Sequence, residues 1–156
     1  MKIDEKWLTG FIETEGYFCI NINKSVGLVD YQIVPEFKII QHKKDIQLLY
    51  AIKKFFRYGS ISSNISENSS IFEYKIRKFE NLRDVIVPFF EKNSLLTKKK
   101  FDFISFRKVI LIMEREDHLK DEGLKKIIKI KEDIDENKEI YFEEKLAITE
   151  ILGIKK

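Results

Sequence analysis

The chain of 156 residues has a single cysteine, Cys19. One thiol excludes a disulfide framework and a cysteine-rich zinc site. It has two histidines, His42 and His118, too widely separated for metal-ligand spacing. No run of about 18 apolar residues occurs, so no transmembrane helix is expected. The opening residues Met1-Lys2-Ile3-Asp4-Glu5-Lys6 are charged and lack the apolar core of a signal peptide. An intracellular, reduced protein with no membrane partner is therefore expected. The excess of one sign of charge over the other is also small. The net charge of +3 is only mildly basic and does not by itself identify a nucleic-acid binder. Arginine is sparse, confined to Arg57, Arg77, Arg83, Arg107 and Arg115, against heavy use of Lys, Ile and Asn.

Apolar and charged content is that of a folded protein. Hydrophobic residues make up 44% and charged residues 35%, which rules out a disordered chain. The length suits one domain with a substantial core. We expect a single domain over residues 1–156, with a core over 1–117 and a C-terminal helical brace over 118–156.

Periodicity gives the order of elements. Asp4 caps a first helix that runs to Glu15, with Leu8, Phe11 and Ile12 as its apolar stripe. Strand-like alternation follows, with Phe18, Ile20 and Ile22 on one side and Tyr17, Cys19, Asn21 and Asn23 on the other. Residues 25–30 read as a loop. The second strand sets Tyr31, Ile33, Pro35, Phe37 and Ile39 against Gln32, Val34, Glu36, Lys38 and Ile40. Pro35 cannot donate a ladder bond, so it belongs at an edge or bulge. Helical spacing covers Lys43 to Phe56, and Gly59 ends that unit. A second hairpin runs from Ser60 to Ser66, turns at Glu67-Asn68-Ser69 and returns from Ile71 to Lys78. Helices are then expected over Phe79–Phe90, Thr97–Glu116, Asp121–Lys131 and Ile140–Leu152. The class is α+β, with one antiparallel four-stranded sheet whose apolar face is covered by helices.

Two features carry chemistry. The first is the end of the opening helix. A carboxylate there opposes the helix dipole at a cost of roughly 0.3–1 kcal/mol. Gly16 is read as the left-handed residue that closes the helix. A carboxylate so placed beside small residues suits a cation. The second feature is the polar face of the sheet. Asn21, Asn23, Gln32, Glu36, Lys38, Ser62, Asn64, Glu73, Lys75 and Arg77 project from it. That set is either a plain solvated face or one that reads base edges, because a two-stranded ribbon enters the major groove and these side chains match its donors and acceptors.

The nonapeptide Leu8-Thr9-Gly10-Phe11-Ile12-Glu13-Thr14-Glu15-Gly16 resembles the motif of the LAGLIDADG homing endonucleases. The leucine, both glycines and both acidic positions match, with glutamate in place of aspartate. The α-ββ-α-ββ-α order extends the resemblance over nearly the whole chain, with extra C-terminal helices. Asp102-Phe103 and His118-Leu119-Lys120-Asp121-Glu122-Gly123-Leu124 are also similar to family sequence.

The resemblance implies a site-specific endonuclease that hydrolyses phosphodiesters in a long, near-palindromic DNA duplex and promotes intron mobility. The motif occurs once, which implies a homodimer whose motif helices meet through Leu8, Gly10 and Phe11. Both copies of Glu15 would then lie close together and share divalent cations, Mg²⁺ or a substitute such as Mn²⁺. The backbone carbonyl of Thr14 would be a second metal ligand. The family also places a polar residue near the end of the second strand and a lysine before a later helix. Gln41 fits the first. The lysine is Lys98 or, one residue on, Lys99. Glu13 lies about 200° around the helix from Glu15 and is read as structural, capping or pairing elsewhere. The implied compartment is organellar or prokaryotic cytoplasm. Two other functions of the same fold stay open: an RNA maturase for group I intron splicing, and a DNA binder that does not cleave. A third reading is an α+β interaction domain that matches the motif by accident.

Overall fold

The computed structural model describes residues 1–24, 31–63 and 70–151, with side chains described through 136. The expected loop at 25–30, the turn around 67–69 with Asn64, and the helix end past 151 lie outside the described residues. The first helix, α1 (Glu5–Glu15), begins where Asp4 accepts from the backbone N–H groups of Lys6 and Trp7 at 2.8 and 3.1 Å. That cap satisfies two of the orphan donors at the helix start.

The chain passes from α1 into β1 (Gly16–Lys24) with no intervening loop. Gly16 is not left-handed as expected; its φ is −90° and its ψ 155°, ordinary extended backbone. Glycine is needed there for space. A Cβ on Gly16 would lie 2.6 Å from Ile12 Cγ2 and 3.0 Å from Ile12 O. β2 (Tyr31–His42) pairs antiparallel with β1, in a register that sets Gly16 opposite Ile39. A 3-10 turn (Lys43–Asp45) leads into α2 (Ile46–Phe56), which ends with Arg57 in the left-handed region. β3 (Ser60–Ser63) and β4 (Ile71–Ile76) complete a sheet of order β1-β2-β4-β3. β2 is an interior strand, yet Pro35 still meets its requirement. β4 pairs with β2 only from Phe37 to His42, so Pro35 lies beyond the end of that partner.

The next helical segment is segmented by a π turn. α3 (Phe79–Asn81) runs through Leu82–Ile86 in π geometry into α4 (Val87–Lys92). The wider turn immediately precedes Pro88, whose missing N–H and ring disfavour a regular interior turn. α5 (Lys99–Glu114) and a 3-10 turn (Asp117–Leu119) follow. α6 (Asp121–Ile151) is one continuous helix where two were expected. No Gly or Pro interrupts residues 131–140, and Lys131 pairs with Asp135 one turn along at 2.5 Å. Ile127 and Ile134 on its inner face are buried, so α6 contributes to the core.

That core lies between one sheet face and the helices. Phe18 is its centre, with the rings of Phe37, Phe90, Phe103 and Phe106 at centroid distances of 5.3–5.6 Å. Such tilted and edge-on contacts add about 0.5–1.5 kcal/mol per pair beyond area burial. They anchor β1, and with it the end of α1, to β2, α4 and α5. The close approach at the α1–β1 junction yields a direct test. Gly16→Ala is expected to lower unfolding stability by about 1–3 kcal/mol through overpacking against Ile12. Urea unfolding measures this; an unchanged midpoint would mean that the junction has slack.

Candidate functional site

The site is built around the bottom of α1. Because Gly16 pairs with Ile39, the residue before Gly16 is brought level with the end of β2. Glu15 and Gln41, far apart in sequence, therefore meet: Gln41 Nε2 donates to Glu15 Oε2 at 3.0 Å and to Ile40 O at 2.8 Å. This orientation uses the amide N–H₂ and turns the Gln41 carbonyl oxygen away from the carboxylate. Thr14 is exposed next to it, its hydroxyl donating to Phe11 O at 3.2 Å.

The side chain of Lys99, one of the two candidate lysines, returns to this end of α1. Its Nζ donates to Gly16 O at 2.5 Å and lies 4.9 Å from the centroid of the Tyr17 ring, a cation–π distance. Lys98 is exposed. Sequence reasoning ranked Lys98 first because it could not fix where α5 starts. It also missed Tyr17, whose only sequence signal was its place on the polar side of β1.

Glu13 faces the other way, as its angle on the helix required. Its two oxygens accept from the backbone N–H groups of Leu96 and Thr97 at 2.6 and 2.9 Å.

The outward face of the sheet divides into exposed and buried polar groups. Asn23, Gln32, Ser62 and Arg77 are exposed, while Asn21, Lys38 and Lys75 are half-exposed. Asn21, Asn23, Gln32, Glu36 and Arg77 line one shallow hollow. Glu36 and Glu73, expected among the base-contacting residues, are buried in this structure, Glu36 to 1% exposure. The physical reason is pairing within the chain. Arg77 reaches Glu36 Oε1 through Nε at 2.6 Å and Nη2 at 2.5 Å, and Lys38 Nζ lies 3.2 Å from Oε2. Lys75 pairs with Glu73 at 3.0 Å. Burial alone would raise the Glu36 carboxyl, but the hydrogen bonds from Arg77 and Lys38 outweigh it and hold Glu36 below the usual carboxylate value. Burial likewise pulls Lys38 down, and its bond to Glu36 with the nearby negative groups lifts it above the ordinary lysine value. The two acids thus serve as fixed seats for Arg77, Lys38 and Lys75, which present the donors.

The residues expected at a helix–helix contact separate as well. Leu8 is fully buried in the core of its own chain and does not face outward. Gly10 is exposed, and a Cβ there would meet nothing within 4 Å. Phe11 is half-buried and stacks on Trp7, with centroids 5.1 Å apart and planes at 12°, while Trp7 itself is 49% exposed. Among the described residues, no group of three or more His, Cys, Asp or Glu side chains gathers into a metal cage. Nor is any described helix long and apolar enough to cross a membrane.

Comparison with known proteins agrees with this architecture. The LAGLIDADG endonuclease family model matches residues 8–110. The probable intron-encoded endonuclease 2 of Neurospora crassa is 30% identical over 127 residues, covering 81% of this chain but 28% of that protein. The DNA endonuclease I-CeuI of Chlamydomonas moewusii is 29% identical over 90 residues, 55% of this chain and 39% of that one. Among solved structures, the homing endonuclease I-TnaI superposes with a TM-score of 0.80 at 41% identity, covering 86% of this chain and 89% of that one. I-SmaMI, solved on an uncleaved DNA target with calcium ions, gives a TM-score of 0.79 at 28% identity, with 85% of this chain matching 45% of that one. The chain thus spans little more than a quarter of the Neurospora relative and under half of I-SmaMI. The motif helix, the four-stranded saddle and the match over residues 8–110 together make this chain a member of the LAGLIDADG endonuclease family.

Proposed function

We propose that this chain is a site-specific DNA endonuclease that acts as a homodimer and promotes mobility of the intron that encodes it. The observation that supports this most is the contact between Glu15 and Gln41 at the open end of α1. It joins the motif carboxylate to a neutral side chain that orients solvent without taking its proton. The solved relatives that carry DNA, calcium ions or cleaved DNA support the same reading.

Glu15 and the Thr14 carbonyl would hold a divalent cation. One chain offers a single carboxylate here, which fits Mg²⁺, since that ion takes one or two carboxylates and completes its shell with water and phosphate oxygens. When bound, the cation supplies Lewis acidity to the scissile phosphodiester. Gln41, held by Glu15 and Ile40 O, would orient the attacking water through its remaining acceptor. Lys99 would place positive charge where charge develops on the phosphate oxygens.

The homodimer rests on Gly10. A glycine inside a helix costs roughly 0.5–1 kcal/mol relative to alanine, and nothing in its own chain crowds Gly10. A second copy of α1 crossing there gives the glycine a reason, and Trp7 and Phe11 supply apolar area beside it. A two-fold dimer would set the two polar sheet faces along successive major-groove segments of a near-palindromic site. Arg77, Lys38, Lys75, Asn21, Asn23 and Gln32 would be the reading side chains. An intracellular compartment, organellar or prokaryotic, fits this role.

Three outcomes are expected. Glu15→Gln should abolish cleavage of a supercoiled plasmid library carrying randomised sites, assayed with Mg²⁺, while leaving binding to a selected duplex intact; wild-type cutting by that variant would remove the metal role. Lys99→Ala should slow single-turnover cleavage on the order of 100-fold, and Lys98→Ala far less, because donors aimed at developing charge carry effects of that size. The reverse ranking would reassign the lysine. Gly10→Leu should shift the sedimentation profile from dimer to monomer, and an unchanged dimer would move the interface off this face of α1.

A further inference from the structure

The motif carries two acids, and the reading above uses only Glu15. Glu13 has its own partners, more than eighty positions away in the chain: Leu96 and Thr97 donate their backbone N–H groups to its two oxygens at 2.6 and 2.9 Å. Bonds of an ionised carboxylate to backbone N–H are about twice as strong as neutral ones. They fall on the last residues before the lysine run. Leu96 is 88% exposed, so its own burial does not hold this amide; the buried Leu95 anchors the loop on one side and the Glu13 carboxylate on the other.

The loop then turns directly into α5. Thr97 O accepts from Lys100 N–H at 2.9 Å, and Thr97 Oγ1 accepts from Lys99 N–H at 3.3 Å. From that first turn the Lys99 side chain comes back to Gly16 O and the Tyr17 ring. A closed circuit results: Glu13 to the loop, the loop to Lys99, and Lys99 to the residues that follow Glu15.

We propose that Glu13 is a positioning residue for Lys99. By fixing the amides of Leu96 and Thr97 it sets the start of α5, and that register decides which lysine reaches the end of α1. The consequence for cleavage rests on the endonuclease reading given above; the positional claim does not. A carboxylate is required because both of its oxygens accept. A glutamine would turn its own N–H₂ toward one of the two backbone donors.

The experiment uses the full chain and two readouts. In the first, lysine side chains are labelled with ¹³C at Cε, and the Lys99 signal is identified by its loss in Lys99→Arg. Stacked near Tyr17, this signal carries a ring-current shift. Glu13→Gln is expected to return it to the exposed-lysine position, and an undiminished shift overturns the proposal. In the second, single-turnover cleavage of a duplex recovered from the plasmid library is followed at saturating protein. Glu13→Gln is expected to slow it on the order of 100-fold, the scale of loss from misplacing a reacting group, with DNA affinity unchanged. Glu13→Gln combined with Lys99→Ala should be no slower than Lys99→Ala alone, and additive losses would overturn the proposal. Glu13→Asp, which keeps two acceptor oxygens, should recover part of the rate; a rate no better than that of Glu13→Gln also counts against it. If the wild-type chain cuts nothing in the library, the endonuclease reading fails, and the ring-current readout alone decides the role of Glu13.

Discussion

The structure turns on the absence of a loop between α1 and β1. Ile12 lies so close over Gly16 that only a hydrogen fits where a Cβ would be. With no slack at that point, the end of the helix is fixed to the first residue of the strand. The register then does the rest. Gly16 faces Ile39, so the side chains of Glu15 and Gln41 meet across one strand gap. The aromatic contacts of Phe18 two residues later hold β1 to the core, and so hold the carboxylate in place from beneath.

The polar face of the sheet obeys a different constraint. Lys38 and Lys75 sit directly opposite each other on β2 and β4, a like-charge pair that is unfavourable on its own. Glu36 and Glu73 on the same two strands relieve it, each bonded to its own lysine. Burying Glu36 would be costly without partners, since an unpaired interior carboxylate loses its hydration. With Arg77 and Lys38 on it, the carboxyl stays ionised and sits below its ordinary pKa. The cost is met inside the chain. What the face offers outward is an arginine with two of its donors already committed and its head held in one place. Side chains ordered in advance lose less entropy on binding than free ones.

Much of this was legible in the sequence, and the reasons for the gaps are specific. The order α-ββ-α-ββ-α follows from periodicity, and the strand faces follow from alternation. Glu15 was singled out by its place at a helix end and Gln41 by the family resemblance, and the structure brings the two side chains together. The misses all depend on a second element. Leu8 looked like a contact residue from its place in the motif, but which side of α1 meets the sheet is set by how α1 enters β1. Glu36 and Glu73 alternate outward like their neighbours, and their burial comes from cations on the same and adjacent strands that alternation within one strand does not reveal. Lys98 and Lys99 differ by one residue, and only the fold shows that Lys99 Nζ meets Gly16 O. Gly16 was read as left-handed because helices often end that way, whereas here the side chain of Ile12 makes the demand. Two helices were expected over Asp121–Lys131 and Ile140–Leu152, whereas one continuous helix keeps Ile127 and Ile134 on a face in the core.

The two acids of the motif can now be compared as a pair. Two residues apart, they point about 200° from each other. Glu13 binds the loop before α5, and Glu15 binds the end of β2. One helix end therefore locates both the strand side and the helix side of the same small region. Exchanging the two roles would not work. Glu13 has both of its oxygens engaged by the backbone N–H groups of Leu96 and Thr97. Glu15, at the end of the helix, accepts from the side-chain amide of Gln41 at 3.0 Å. One acid is thus tied to the backbone before α5, and the other to a side chain at the end of β2. That difference, and not the identity of the residues, separates the two glutamates.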